Sequence, residues 1–308
     1  MHDYPLTGRA ETDRCLRLAN QAHRYYFSDA LRFKREFVAA SKEFFEEVER
    51  KFISKYGGKN LSDSLAILFR NNKQKFEFFR DELHYVKKRL DILDREPNLM
   101  NESTRFVLDH TARFIETILP YACAVKQEVE QNSKFRAEYQ EIMGRKMTFF
   151  SRNSEETVSD PYLSSFYANA WRSQRSLNGI FYLKQHFSNS VFFESLFQDP
   201  VMKEYYQDHG PDYSSALIFA RMANEQFMKC QSEKLNLYQD NDDREISMPK
   251  RIGDVCKRNA INRLIALEAT LVHKRGNNIA HQGIPGFFST CYHCLELLNY
   301  YDKQRIRS

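Results

Sequence analysis

Apolar and aromatic residues return every three or four positions along most of this chain. Leu16, Ala19, Ala22, Tyr26, Ala30, Phe33, Phe37, Phe44, Phe45, Val48 and Phe52 trace one continuous helical side, and Gly57-Gly58 ends it. A second helix is predicted from about Asp63 to Leu93, with Ser62 or Asp63 as its cap and Pro97 beyond its end. A third spans about Thr104 to Gln131, where Pro120 is expected to kink or divide it, and another helical segment reaches about Phe150. Ser151 to Asp160 is polar and poor in helix signals, which makes it a boundary. Asp160-Pro161 reads as a cap with proline in the first turn, opening a helix to about Phe187 that carries the only tryptophan, Trp171. Short segments after Asn189 and Asp199-Pro200 lead to the breakers His209-Gly210-Pro211-Asp212. Beyond them come helices at about Tyr213–Leu237, Met248–Cys256, Asn259–His273 and Phe287–Lys303. No sustained alternation argues for a sheet, so the expected fold is all-α. The expected organisation is a helical region over 1–150, a helical connector over 151–212 and a C-terminal domain over 213–308.

Composition narrows the class. The chain has 308 residues, 42% hydrophobic and 28% charged, as in ordinary globular proteins. Its 10 Gly and 8 Pro leave little room for a turn-rich β architecture. The 25 Phe and 17 Tyr fall mostly at helical spacing, so core packing is the reading preferred over base-stacking platforms. Six scattered Cys give no disulfide framework, and Met1-His2-Asp3-Tyr4-Pro5 lacks the basic-then-apolar run of a signal peptide. No apolar stretch approaches the ~20 residues of a membrane span. A cytoplasmic protein with reduced thiols is expected, without membrane association. A net charge of +5 permits RNA binding without demanding it. Distribution is more telling. Lys250, Arg251, Lys257, Arg258, Arg263, Lys274 and Arg275 meet only Asp254 and Glu268 between positions 250 and 275.

That basic stretch leads into Arg275-Gly276-Asn277-Asn278-Ile279-Ala280-His281. Gly276, with Gly283 and Pro285, suggests a break between two helical segments there. An arginine is a permanently charged fork for phosphate, and a histidine exchanges protons near neutral pH. The spacing alone means little, because Arg17…His23 repeats it inside an uninterrupted helical pattern. The content of the second copy, running on as Asn278-Ile279-Ala280-His281-Gln282-Gly283 between two apolar helices, resembles the HEPN superfamily over about residues 213–307. It departs from the family pattern in having Gly276, rather than a polar residue, directly after Arg275.

The resemblance implies a four-helix bundle and a metal-independent endoribonuclease, with no cofactor. His281 would do the acid–base work, Arg275 would hold the phosphate charge, and Asn277 or Asn278 would orient the histidine or bind a phosphate oxygen. Lys274, His273, Lys250, Arg251, Lys257 and Arg258 are the candidate RNA contacts, although His273 also suits a helix terminus. The resemblance further implies a composite site between two copies, a toxin or phage-defence setting, and an antitoxin or sensor partner. The alternatives are a non-catalytic HEPN-like module for RNA binding or assembly, and an unrelated helical interaction protein. Other chemistry is weakly supported. Cys291-Tyr292-His293-Cys294 lacks two further zinc ligands at suitable spacing, no Glu precedes a His by three residues as a di-iron bundle needs, and Gly57-Gly58-Lys59-Asn60 is not a phosphate loop.

Overall fold

The computed structural model describes residues 3–133, 135, 148–151, 158–187, 213–238, 246–282 and 288–305. Every regular element among them is a helix, and none of these helices is long and apolar enough to cross a membrane. The expected segment reaching Phe150, the short segments after Asn189 and the clusters around 209–212 and 283–287 lie largely outside the described residues. The chain divides into two compact units, Met1–Gln140 and Glu141–Ser308.

The first unit contains α1 (Ala10–Asp29), α2 (Lys34–Tyr56), α3 (Leu61–Leu68), α4 (Lys73–Arg95), α5 (Arg105–Cys123) and α6 (Lys126–Gln131). The single first helix expected from periodicity is thus two. Asp29 interrupts it by accepting the Leu31 and Arg32 backbone N–H groups, at 3.1 and 3.2 Å. The second expected helix is also two, each with its own cap: Asn60 accepts from Asp63 N at 2.9 Å and Asn72 from Lys75 N at 2.9 Å. Gly57 and Gly58 end α2 with φ of 78° and 103°, and a Cβ on Gly58 would lie 2.9 Å from Ser64 N, so only glycine fits. Helix α5 runs through Pro120 and stops four residues later, where Ala124 turns left-handed at φ 55°. The aromatic stripe is interior as expected. Phe37, Phe44, Phe45 and Phe52 are buried, and Phe45 stacks on Phe114 at 5.9 Å.

The second unit contains α7 (Pro161–Phe187), α8 (Ser214–Lys234), α9 (Met248–Lys257), α10 (Arg263–Gln282) and α11 (Phe288–Arg305). Asp160 caps α7 by accepting the Tyr162 and Leu163 N–H groups at 2.9 and 3.1 Å, as the Asp-Pro pair predicts. Helix α8 is central and packs against all four others. Its buried small residues Ala216, Ala220 and Ala223 permit close approach, and Ser173 of α7 donates to Ala216 O at 2.7 Å. Tyr301 of α11 stacks on Phe227 of α8 at 4.0 Å, while its hydroxyl donates to Asn224, which in turn donates to Ala269 O of α10. One hydrogen-bonded chain therefore ties α8, α10 and α11 through the core.

Candidate functional site

The Arg275–His281 stretch lies inside α10. The helix expected to break at Gly276 instead continues to Gln282. Its glycine is used for packing. Position 276 is buried against α8, and a Cβ there would come within 2.5 Å of both Cβ and Cδ of Arg221. A glycine in a helix interior ordinarily costs about 1 kcal/mol relative to alanine. Here the close approach reverses that preference. Gly276→Ala is expected to lose about 1–3 kcal/mol by overpacking, read as a lower midpoint in urea unfolding. An unchanged or raised midpoint would mean that α8 and α10 are not in close contact at this position.

Continuous helix fixes which residues share one side. Lys274, Asn277, Asn278 and His281 stand at i, i+3, i+4 and i+7 and so form one stripe about 10 Å long. His281 is exposed at its far end, and the other three are half-buried. Arg275 lies about 100° round the helix from Lys274. It is buried, with Nη1 3.9 Å from Cys294 Sγ of α11. The two ends of the sequence motif therefore face different surroundings. Arg17…His23 shows the opposite arrangement, with Arg17 exposed and His23 fully buried against Ala112 O at 3.1 Å.

A polar chain supports the stripe from behind. The Asn277 amide lies 3.0 Å from His273 Nε2, His273 Nδ1 lies 3.0 Å from Glu225 Oε1, and Arg221 Nε donates to the same oxygen at 2.6 Å. Burial pushes the Glu225 carboxyl up, but the His273 ring and the Arg221 guanidinium outweigh it and hold the carboxyl below its usual range. With Glu225 ionised, His273 donates from Nδ1, which leaves Nε2 to accept from Asn277. His273 is thus linked to the stripe through Asn277. Arg221 and Glu225 escape a reading of the sequence. Their own i,i+4 spacing is visible, but their link to a histidine 48 positions from Glu225 exists only once α8 packs on α10.

The remaining basic candidates divide. Arg251 is buried, donates to Ser232 Oγ and lies over the Tyr238 ring at 5.0 Å. Lys250 and Lys257 are exposed on α9 and each pairs with Asp254 at 3.1 Å, while Arg258 is exposed just past the helix. The Tyr238 hydroxyl, then the two lysines, hold the Asp254 carboxyl down at about 2. That anchoring contributes stability above the ordinary aspartate value near 3.8 and is lost as the pH falls through about 2. Asp254→Asn should flatten this acid limb, followed by circular dichroism between pH 5 and 2. An unaltered limb would remove Asp254 as its source.

Cys291, His293 and Cys294 have separate structural partners. Cys291 donates to Tyr213 O at 3.6 Å, and His293 Nε2 lies 2.7 Å from Glu268 Oε2 in the core. Among the described residues no group of three or more His, Cys, Asp or Glu side chains is placed to hold a metal ion. No family model matches the chain, and no curated protein or solved structure is significantly similar to it.

Proposed function

We propose that this chain is a metal-independent endoribonuclease of HEPN type, in which α8 to α11 form the four-helix bundle and two copies face each other across one cleft. The observation that carries the reading is the Lys274–Asn277–Asn278–His281 stripe, half-buried along its length and exposed at His281, with a cation, two amides and an imidazole on one side of one helix. RNA brings its own nucleophile. His281 of one copy takes the proton of a ribose 2′-hydroxyl, the 2′-oxygen attacks the adjacent phosphorus, and the phosphorus–O5′ bond breaks. The same histidine of the second copy protonates the departing O5′. The products are a 2′,3′-cyclic phosphate and a 5′-hydroxyl, and no water is consumed. Two proton transfers call for two imidazoles, whereas His273 is already held between Glu225 and Asn277. Lys274 is the cation already on the stripe for the phosphate. Arg275 reaches it only by leaving its place beside Cys294. The setting that fits is a toxin or phage-defence effector restrained by an antitoxin or sensor protein.

The buried position of Arg275 favours one second reading, in which the bundle binds RNA or a protein partner without cutting. Induced expression of wild type beside His281→Ala separates the two. Growth arrest, with RNA fragments formed in the presence of EDTA by wild type alone, supports the nuclease. Intact RNA in both, with RNA retained by the purified proteins, supports the binding module instead.

A further inference from the structure

A second place in the molecule has the character of a ligand site, and it lies in the first unit, independent of the ribonuclease reading. A cavity of about 730 Å³ opens between the start of α1, the last turns of α2 and the end of α5. That volume is in the range of small-molecule sites. Four cations line it, Arg9, Arg50, Lys51 and Lys55, against the carboxylates Glu11 and Glu47. Glu47 is already engaged, by Arg14 Nε at 3.1 Å and Arg50 Nη2 at 2.7 Å. Lys51 and Lys55 stand one turn apart on α2, where like charges repel, and neither has a carboxylate partner among the described residues. Arg9 has none either.

The cavity also receives the open end of a helix. Ala10, Glu11 and Thr12 form the first turn of α1 and line the cavity wall, and Arg9 supplies no side-chain cap. The first intrahelical bond in α1 is Asp13 N to Arg9 O, which leaves the three preceding N–H groups for an outside acceptor. A 20-residue helix directs its positive end at the same space. Cys123 lies on the wall as well. The Cys15 thiol first, then Lys51 and Lys55, hold the Cys123 thiol below its ordinary value despite burial. We propose that this cavity binds the phosphates of a nucleotide-sized small molecule, with Arg9, Lys51, Lys55 and the α1 N–H groups as its anion contacts.

The test is calorimetric titration of the full chain with ATP, with inorganic pyrophosphate and with a short single-stranded RNA. Wild type is compared with Lys51→Gln/Lys55→Gln and, separately, with Arg9→Gln. ATP and pyrophosphate are expected to bind wild type, and the double variant to weaken both at least tenfold at an unchanged melting temperature. His281→Ala should bind both as wild type does, which keeps the result apart from the nuclease reading. The proposal is overturned if neither ATP nor pyrophosphate binds, or if both bind equally to wild type and variants. Binding of RNA alone, lost in the double variant, overturns it too and assigns these cations to a polynucleotide. Should the double variant unfold, Arg9→Gln carries the same comparison, because Arg9 is exposed and has no side-chain partner.

Discussion

Replacing Glu268 by alanine should destabilise the second unit by about 2–5 kcal/mol, the range for truncating a large buried side chain. Glu268 is fully buried on α10, and its Oε2 lies 2.7 Å from Nε2 of His293, itself 1% exposed on α11. Deleting the carboxylate takes away the acceptor of that ring nitrogen where water does not replace it, and it also opens a void between two packed helices. Both effects act in the same direction. Glu268→Gln keeps an acceptor of nearly the same shape and should lose clearly less. Domains are stable by only about 5–15 kcal/mol in total. The alanine variant should therefore show a large fall in urea midpoint, and the glutamine variant an intermediate one. Equal midpoints for wild type and Glu268→Ala would show that this pair does not hold α10 to α11.

Glu268 also shows where a sequence stops being legible. Along the chain it reads as one of two acidic counterweights in a basic stretch, yet only Asp254 plays that part, between Lys250 and Lys257 at the surface. Glu268 is interior, and nothing local marks it so, because its partner is 25 positions away. Helical class was legible because burial follows the 3.6-residue period almost everywhere, as Leu16, Ala19, Ala22 and Tyr26 show in α1. The break after Asp29 was not. Phe33 N still bonds to Asp29 O and Phe37 N to Phe33 O, so the apolar spacing passes through the turn undisturbed. Gly276 was misread for the opposite reason. Glycine signals a break when only neighbours are considered, whereas here it accommodates Arg221 from another helix. The same limit applies to the Arg–His spacing. Periodicity places Lys274, Asn277, Asn278 and His281 on one stripe as soon as the helix is known to continue, and it is the expected break that separated Lys274, named only as an RNA contact, from the side that carries His281.

That stripe yields the largest functional effect. If the proposed ribonuclease reading holds, His281→Ala is expected to lower the rate of RNA cleavage by about 10²–10⁴-fold, the usual contribution of a positioned acid–base group. Its melting temperature should be unchanged, because His281 is exposed at the end of α10. Three companion measurements distinguish this from general damage. On the proposed reading, Lys274→Ala should weaken RNA binding in a salt-dependent way while the protein remains folded, since it would remove the proposed phosphate contact. Arg275→Ala should instead lower the melting temperature, because its guanidinium is enclosed beside Cys294. A substrate with 2′-deoxyribose at the cleaved linkage should survive wild type, having lost the nucleophile. If His281→Ala and wild type cleave at the same rate, the imidazole is not the proton-transfer group. If Arg275→Ala stays fully stable yet loses cleavage as His281→Ala does, the arginine must turn outward in the working pair of copies. Lys274 would then cede the phosphate to it.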